Sequence, residues 1–412
     1  MKTIRLKVNL SLALVSLLAL NTSSTALAAE GSDNPPAAGK FGLSLRWRLE
    51  NVDQDPLPHD ATDAPLRVRL NYTTAEMSGF SAKVEFDYVS DFGMDHYNAG
   101  GGNFPRPPGY PVIADPTGPD WNQAYLQYKA SFGGLFRVGR QRIIYDNARF
   151  VGNVGWRQNE QTYDALAFSH KAANGLNLQY AYVDRVNRIF GDKVAAGNHS
   201  HNTHLFNLSF PLQGVGKLTG YFYDIDNQDA AALSNTTWGL RFSGSAATGD
   251  SAKIGFGLEY ARQKDNASNP VDYQADYWRL DLSIGFAPAT LYAGYESLGG
   301  DRFRSGRAFQ TPLATLHAFN GWADKFLATP AAGLDDAFVG VKGKAGSWNW
   351  NALYHDFSAQ SGGSDFGSEF DASIGRKFMD HYGILLKAAS YDSSGSSYGD
   401  TTKFWIMLSA DF

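Results

Sequence analysis

Residues 41–50 read Phe-Gly-Leu-Ser-Leu-Arg-Trp-Arg-Leu-Glu, and their alternation decides the fold. Phe41, Leu43, Leu45, Trp47 and Leu49 share one parity, and Ser44, Arg46, Arg48 and Glu50 share the other. Side chains of a strand alternate between two faces, whereas a helix gathers positions three or four apart. A period of two therefore marks a strand with one apolar and one charged face. Working outward, Leu66, Val68, Leu70 and Tyr72 alternate with Arg67, Arg69, Asn71 and Thr73, and Phe80, Ala82, Val84, Phe86 and Tyr88 enclose Lys83, Glu85 and Asp87.

Such runs continue to the last residue, from 40–50 to 401–412, and predict about 18 strands of about ten to twelve residues, the length of a tilted strand crossing a bilayer. The connections keep time with them. Short ones at 131–134, 171–175, 286–289, 343–347 and 377–381 interleave with longer ones at 51–63, 91–119, 145–159, 186–201 and 300–334. Periplasmic turns and extracellular loops produce this rhythm. Alternation blurs at 137–144 and 160–170, where a bulge would alter the count by about two.

The chain ends with Phe404, Ile406, Leu408, Ala410 and Phe412 on one parity, which resembles the carboxy-terminal recognition strand of bacterial outer-membrane barrels. The expected fold is all-β: a transmembrane antiparallel up-and-down β-barrel whose apolar faces meet lipid and whose charged faces line a wet lumen. Closure removes the edges that so long a sheet would expose. Tyr72, Tyr88, Tyr128, Tyr180, Trp238, Tyr260, Trp278 and Trp405 fit interfacial girdles. The expected surroundings are outer-membrane lipid and lipopolysaccharide in a Gram-negative cell, with the barrel-assembly machinery engaging the strand that ends in Phe412.

Composition supports this division. After residue 28 no apolar run approaches the about 20 residues of a helical span. The absence of Cys excludes thiol nucleophiles, disulfide scaffolds and zinc ribbons. Lys2, Arg5 and Lys7, an apolar stretch over 8–20 and Ala26-Leu27-Ala28 read as a secretory signal cleaved after Ala28. Residues 29–39 then form a flexible leader, and 40–412 the barrel. Removing the three cations leaves 33 Lys and Arg against 41 Asp and Glu, a net charge of −8, which disfavours a nucleic-acid partner.

Arginine marks the candidate path. Arg46, Arg48, Arg67, Arg69 and Arg279 lie at the polar parity of their strands; Arg137, Arg140, Arg142, Arg149 and Arg157 crowd the fifth strand and its loop; Arg302, Arg304 and Arg307 open the longest late connection. Guanidinium is permanently charged and forks onto carboxylate, and rings of it inside a pore select anions. The competing reading has each arginine pairing with a nearby acid to hold strands and loops in register. Asp224, Asp226, Asn227 and Asp229 lack the Gly and distal Glu of a calcium loop, and His199, His201 and His204 lack a completing ligand, so no metal is expected. Glu85 and Asp87 on one strand face read as pore lining. With no nucleophile elbow, zincin motif or Ser/His/Asp set, neither an enzyme nor a cofactor is expected.

Three segments carry a family resemblance: Gly139-Arg140-Gln141-Arg142-Ile143; 146–160, Asp-Asn-Ala-Arg-Phe-Val-Gly-Asn-Val-Gly-Trp-Arg-Gln-Asn-Glu; and Thr311-Pro312-Leu313-Ala314-Thr315-Leu316-His317 continuing to Gly321-Trp322-Ala323-Asp324-Lys325-Phe326. They resemble the alginate-export family of outer-membrane porins. The resemblance implies an 18-stranded barrel with an arginine-rich lumen that passes anionic polyuronates by diffusion, with Arg140, Arg142, Arg149 and Arg157 matching in the motif. It also implies a gating loop and a periplasmic plug in the dedicated exporters, whereas the short turns here leave no room for a plug. The 311–326 segment has two readings, an inward constriction with Trp322, Asp324 and Lys325 as its candidate residues or an outward loop; Leu313, Leu316, Phe319, Trp322 and Phe326, spaced as in a packed short helix, favour folding against the barrel wall. The rival functions are an uptake porin for other small anions or carbon sources and a surface-structural or adhesive barrel. Deleting Phe412 should impair membrane insertion, measured as loss of the heat-modifiable folded band in outer-membrane fractions.

Overall fold

The computed structural model describes residues 39–248, 252–395 and 398–412. The expected signal peptide (1–28) and leader (29–39) lie outside the described residues but for Gly39. In chain order the strands are β1 (Lys40–Gln54), β2 (Ala61–Asp63), β3 (Leu66–Thr73), β4 (Phe80–Ser90), β5 (Asp95–His96), β6 (Gly118–Lys129) and β7 (Gly134–Gln141). There follow β8 (Thr162–Lys171), β9 (Asn177–Asn187), β10 (Asn198–Leu212), β11 (Gly216–Ile225), β12 (Asn235–Thr248), β13 (Ala252–Asp265) and β14 (Gln274–Phe286). The last are β15 (Ala289–Leu298), β16 (Leu334–Ala345), β17 (Trp348–Ser358), β18 (Asp365–Phe378), β19 (Tyr382–Asp392) and β20 (Thr401–Asp411).

Eighteen strands form the wall, each antiparallel to the next, while β2 and β5 pair above the end of β1. The wall closes where β20 meets β1, in register from Ser44 opposite Asp411 to Gln54 opposite Thr401. Phe412 carries the seam one step further, exchanging backbone hydrogen bonds of 2.8 and 3.0 Å with Leu43. The blurred stretch at 160–170 runs into β8 without an insertion; the register shift opposite Asp164 and Ala165 comes from one extra residue, Asp184, on β9, and the strand count is kept.

Both faces follow the alternation. Leu70, Val84, Leu126, Val138, Leu240, Leu258, Leu282, Val339, Phe370 and Leu408 are exposed on the outside, a band that water would penalise and hydrocarbon accepts. On the inner parity Arg48, Glu50, Glu85, Asp87, Glu259, Glu296 and Asp371 are buried. Connections at the end holding both wall termini are short, as at 74–79, 287–288 and 346–347. Those at the other end are long, notably 91–117, 142–161 and 299–333. By the rule for such barrels the first end is periplasmic and the second extracellular.

The interior departs from an evenly wet lumen. Tyr163, Leu205, Tyr223, Tyr277, Phe357, Tyr391 and Trp405 of the wall pack with Phe150, Val151, Phe309, Leu313 and Phe326 from inward loops into a buried apolar cluster. Long loops that enter a barrel must bury apolar surface to hold there, which places aromatics on the lumenal face. Trp405, expected in a girdle, is one of these and is wholly buried, whereas Tyr88, Trp238 and Trp278 do face outward. Leu282→Arg should destabilise the folded barrel by about 2–4 kcal/mol, while Arg at the adjacent inward Ser283 should cost little. Denaturant titration of the reconstituted barrels measures the difference.

Candidate functional site

The two quoted loop motifs meet each other inside the barrel. Val151 and Leu313 form a parallel bridge. The Gly152 N–H donates to the Leu313 carbonyl at 2.9 Å, and the Thr315 N–H to the Ala148 carbonyl at 3.0 Å. Tyr163 of the wall donates to the Gly152 carbonyl at 2.7 Å. Gly152 is required here, because a Cβ would overlap the Thr315 hydroxyl and approach Ala148. This pairing takes the place of the expected helix: the segment is a run of turns and bends with a single 3-10 turn at Leu316–Ala318.

Ion pairs fasten the loops to the wall. Arg46 donates to Gln158 Oε1 and to the Gly155 carbonyl, both at 2.9 Å, and also to the Arg157 carbonyl. Arg48 reaches Asp115 and the Trp156 carbonyl, and Asp115 accepts the Gln158 N–H at 2.6 Å. Arg69 grips Asp87 through two bonds of 2.5 and 2.6 Å and Glu160 at 2.6 Å. Arg142 joins Glu160 to Glu85. Arg157 lies between Glu50 at 3.1 Å and Asp324 at 3.0 Å. Burial opposes its charge, but Glu50, Asp115 and Asp324 outweigh burial and raise its pKa.

On the opposite side, Arg149 donates to Glu296 at 2.6 Å, Thr311 at 3.2 Å and Asn320 at 3.0 Å. Asn320 in turn donates to Glu296 at 2.7 Å and Asp336 at 3.0 Å. The Ala323 N–H donates to Glu369 at 2.7 Å and the Trp322 N–H to Asp371 at 3.3 Å. Between these two bonded stretches sits Gly321, whose positive φ and closeness to the Glu369 carboxylate leave no room for a side chain.

One ammonium ties three elements together. Lys387 Nζ lies 3.7 Å from the ring centre of Trp322, 4.3 Å from that of Trp156 and 5.3 Å from that of Trp405, so one tryptophan comes from each loop and one from β20. It also meets His317 Nε2 at 2.7 Å, while His317 Nδ1 meets Asp324 at 2.7 Å. Burial, opposed by Asp324 and reinforced by Lys387, pushes the His317 pKa down to about 3. The imidazole is thus neutral at physiological pH, donating from Nδ1 to Asp324 and accepting from Lys387. Asp324 also accepts from Lys403 at 2.8 Å, and its charge is favoured despite burial by His317, Lys403 and Arg157.

Arg46, Arg48, Arg67, Arg69, Arg142, Arg149, Arg157 and Arg279 point inward, along with Trp322, Asp324 and Lys325. Most of these arginines are committed to carboxylates or loop carbonyls; among the described residues Arg67 reaches the Gln158 carbonyl alone, at 3.4 Å, and Arg279 meets Asp281 at 2.9 Å and Glu296 at 3.3 Å. Two candidates fall elsewhere. Register places Arg140 on the outward face with Val138, bonded to Asp164 at 2.8 Å, because β7 keeps odd residues inward. Arg304 is largely exposed in the long loop and bonds Asp301 at 2.8 Å. Asp63, at the end of the expected 51–63 loop, is buried in β2, where burial and the nearby Asp115 and Glu50 push its pKa up to about 9. Sequence reasoning missed Lys387, Lys403, His317 and Asn320. Parity alone marks the two lysines as inward, since each is the lone cation of its strand and alternates with outward residues, Leu386 and Ala388 beside Lys387 and Phe404 after Lys403. Nothing local marks His317 or Asn320. His199 bonds Asn227 and His201 bonds Thr203, and the described residues contain no metal-holding group of three or more acids and histidines.

A closed wall of tilted strands, an apolar outer band and a lumen narrowed by folded-in loops define a porin-type channel of the Gram-negative outer membrane. The family model described as alginate export matches residues 38–283, more than half of the chain, and the chain belongs to that family. Solved structures agree in fold. Pseudomonas aeruginosa OccK1 (OpdK) is 14% identical, with a TM-score of 0.68 over 91% of this chain and 99% of that one. Acinetobacter baumannii OccAB2 is 17% identical, with a TM-score of 0.68 over 90% and 98%. A second structure, of P. aeruginosa OpdK with vanillate, is 15% identical, with a TM-score of 0.68 over 91% and 99%. Among curated proteins no sequence matches.

Removing Arg157 takes a buried partner from both Glu50 and Asp324, a loss of about 3–5 kcal/mol, and removing Arg46 takes away three further hydrogen bonds to the 142–161 loop. The double variant Arg46→Ser/Arg157→Ser should therefore release the 142–161 loop and raise single-channel conductance about twofold or more, whereas Arg137→Ser, whose guanidinium bonds Gln127 of the neighbouring wall strand at 2.8 Å, should not. Planar-bilayer recording compares them.

Proposed function

We propose that the protein is a passive channel, without enzymatic activity, for anionic saccharides of the alginate type, polyuronates or their oligomers. The observation that carries this reading is the extracellular vestibule above the constriction, a cavity of about 740 Å³. Arg157, Arg188, Lys325 and Lys403 line it, and Asp324 is its one carboxylate among the described residues. Asp324 is already held by Arg157, His317 and Lys403, so Arg188 and Lys325 face the cavity with no carboxylate within ion-pair distance among the described residues. Arg188 bonds a carbonyl at 3.3 Å, and Lys325 bonds the Thr401 hydroxyl at 2.7 Å. Cations with no carboxylate partner raise the local concentration of anions and orient them. The paired arginines, by contrast, hold the loops that set the bore.

A second reading, uptake of small carboxylates with an apolar body, is favoured by the vestibule's other wall, where Leu57, Tyr110, Val112, Ile189, Phe190 and Leu327 gather. The similarity to OpdK, solved with vanillate, points the same way.

Lys325 gives the test. Burial and the neighbouring Lys403, opposed by Glu369 and Asp400, bring its pKa down to about 8. The ammonium is charged below that value and neutral above it. Anion preference, read as reversal potential in a salt gradient, should therefore decline as pH rises through about 8. Lys325→Gln should show a lower preference with that step removed. Uronate oligomers should interrupt the current, and an aromatic carboxylate should compete if the second reading holds. Cation preference, or uninterrupted current in millimolar oligouronate, would defeat the first.

A further inference from the structure

The periplasmic half of the lumen holds a separate cavity of about 1220 Å³, below the constriction. Lys253 on β13, Lys342 and Lys344 on β16 and Lys377 on β18 line it and are exposed within it. Among the described residues none of the four has a carboxylate within ion-pair distance; Lys342 lies instead 5.3 Å from the ring centre of Tyr292. This contrasts with the constriction, where nearly every arginine is paired.

Register shows what separates them. One row across the sheet reads Lys253, Gly285, Thr290, Lys342, Asn351, Ser373, and the row below it reads Lys344, Asn349, Gly375. Lys377 follows two residues beyond Gly375 on the same strand. From β13 to β18 there are five interstrand steps of about 4.8 Å, an arc of about 24 Å. Between the cations the surface is small or neutral and hydrogen-bonding, which leaves space for rings and supplies hydroxyl and amide partners. The nearest acids on these strands are committed: Asp281 bonds Arg279 at 2.9 Å, and Asp371 accepts the Trp322 N–H. Asp411 and Asp380 stand at the rim outside the cavity lining.

Lipid phosphate does not fit this arc, because its four lysines lie on the inward parity. Arg376, one residue from Lys377, also borders the cavity but takes the outward parity and lies over Trp348 and Phe378 at 5.3 and 5.7 Å.

We propose that Lys253, Lys342, Lys344 and Lys377 form a second anion site at the periplasmic mouth, which captures a segment of a linear carboxylated saccharide and presents it to the constriction from the periplasmic side. The site rests on the reading of the channel as one for anionic saccharides and adds to it a side of entry. Unpaired cations attract a polyanion over about a Debye length, so capture is fast and falls with salt.

The test is sided addition of a size-fractionated mannuronate oligomer to single full-length channels in planar bilayers. The chain has no cysteine, so a single Phe303→Cys in the exposed extracellular loop, biotinylated and probed with streptavidin in one chamber, reports orientation. Periplasmic addition should interrupt the wild-type current more often than extracellular addition. The quadruple variant K253Q/K342Q/K344Q/K377Q should lower the periplasmic capture rate about tenfold and flatten its salt dependence, leaving extracellular capture within about twofold. The pairs K253Q/K377Q and K342Q/K344Q should give intermediate losses, which keeps the test decisive if the quadruple variant folds poorly. R188Q/K325Q should affect extracellular capture instead. Unchanged periplasmic capture in the lysine variants, with extracellular capture intact, overturns the mouth site alone. No interruption from either side together with cation preference overturns the saccharide reading itself.

Discussion

Hydrocarbon offers no hydrogen-bond partner, so every peptide group that crosses it must be satisfied within the protein. An antiparallel sheet meets that demand everywhere but at its two edges, and the pairing of the first and last strands removes both. The exchange between Leu43 and Phe412 is the outermost part of that seam. Once the sheet is closed, an outside and an inside exist, and alternation gives each its chemistry: Leu282 and Phe370 face lipid while Glu259, Glu296 and Asp371 face inward. The remaining structure is built on this partition.

What closure leaves undecided is how full the interior is. An 18-stranded wall is wide enough for an aqueous channel, and the chain narrows it with its own loops. The apolar cluster around Phe150, Leu313 and Trp405 supplies the driving force for docking those loops. Geometry is supplied by the polar partners. Buried charges are costly unless paired and hydrogen-bonded, and here Arg69, Arg149, Arg157 and Asp324 each meet several partners. Such a network tolerates few alternative arrangements, which suits a constriction whose width matters. Lys387 extends the logic to aromatic rings, since its ammonium touches a tryptophan of each loop and so depends on both being docked.

Division of labour among cations follows. Arginine, with its planar fork, is used where two or three acceptors must be bridged at once, as Arg149 bridges Glu296, Thr311 and Asn320. Lysine stands where a charge is left facing space, at Lys325 in the vestibule and at Lys253, Lys342, Lys344 and Lys377 near the periplasmic mouth. Net charge says little about such a pore, because acids bonded inside the constriction neutralise their partners locally and add nothing along the path.

The sequence by itself determined the strands, their faces and the closure, because those depend on a period of two and on neighbours a few residues away. Even the blurred 160–170 stretch kept its parity, since the added residue of the bulge, Asp184, falls on the neighbouring strand β9. The sequence also marked both constriction loops through their motifs. Tertiary structure alone decided what the marked residues do. Arg46 and Arg48 are clamps because Gln158 and Asp115, more than sixty residues away, come within reach. Arg140, by contrast, shares the outward parity of Phe136 and Val138, and Trp405 the inward parity opposite Phe404 and Leu408, so for these two the alternation itself carried the answer. Parity states which side of the sheet a residue occupies; which loop returns to meet it depends on packing across the barrel, and no local pattern encodes that.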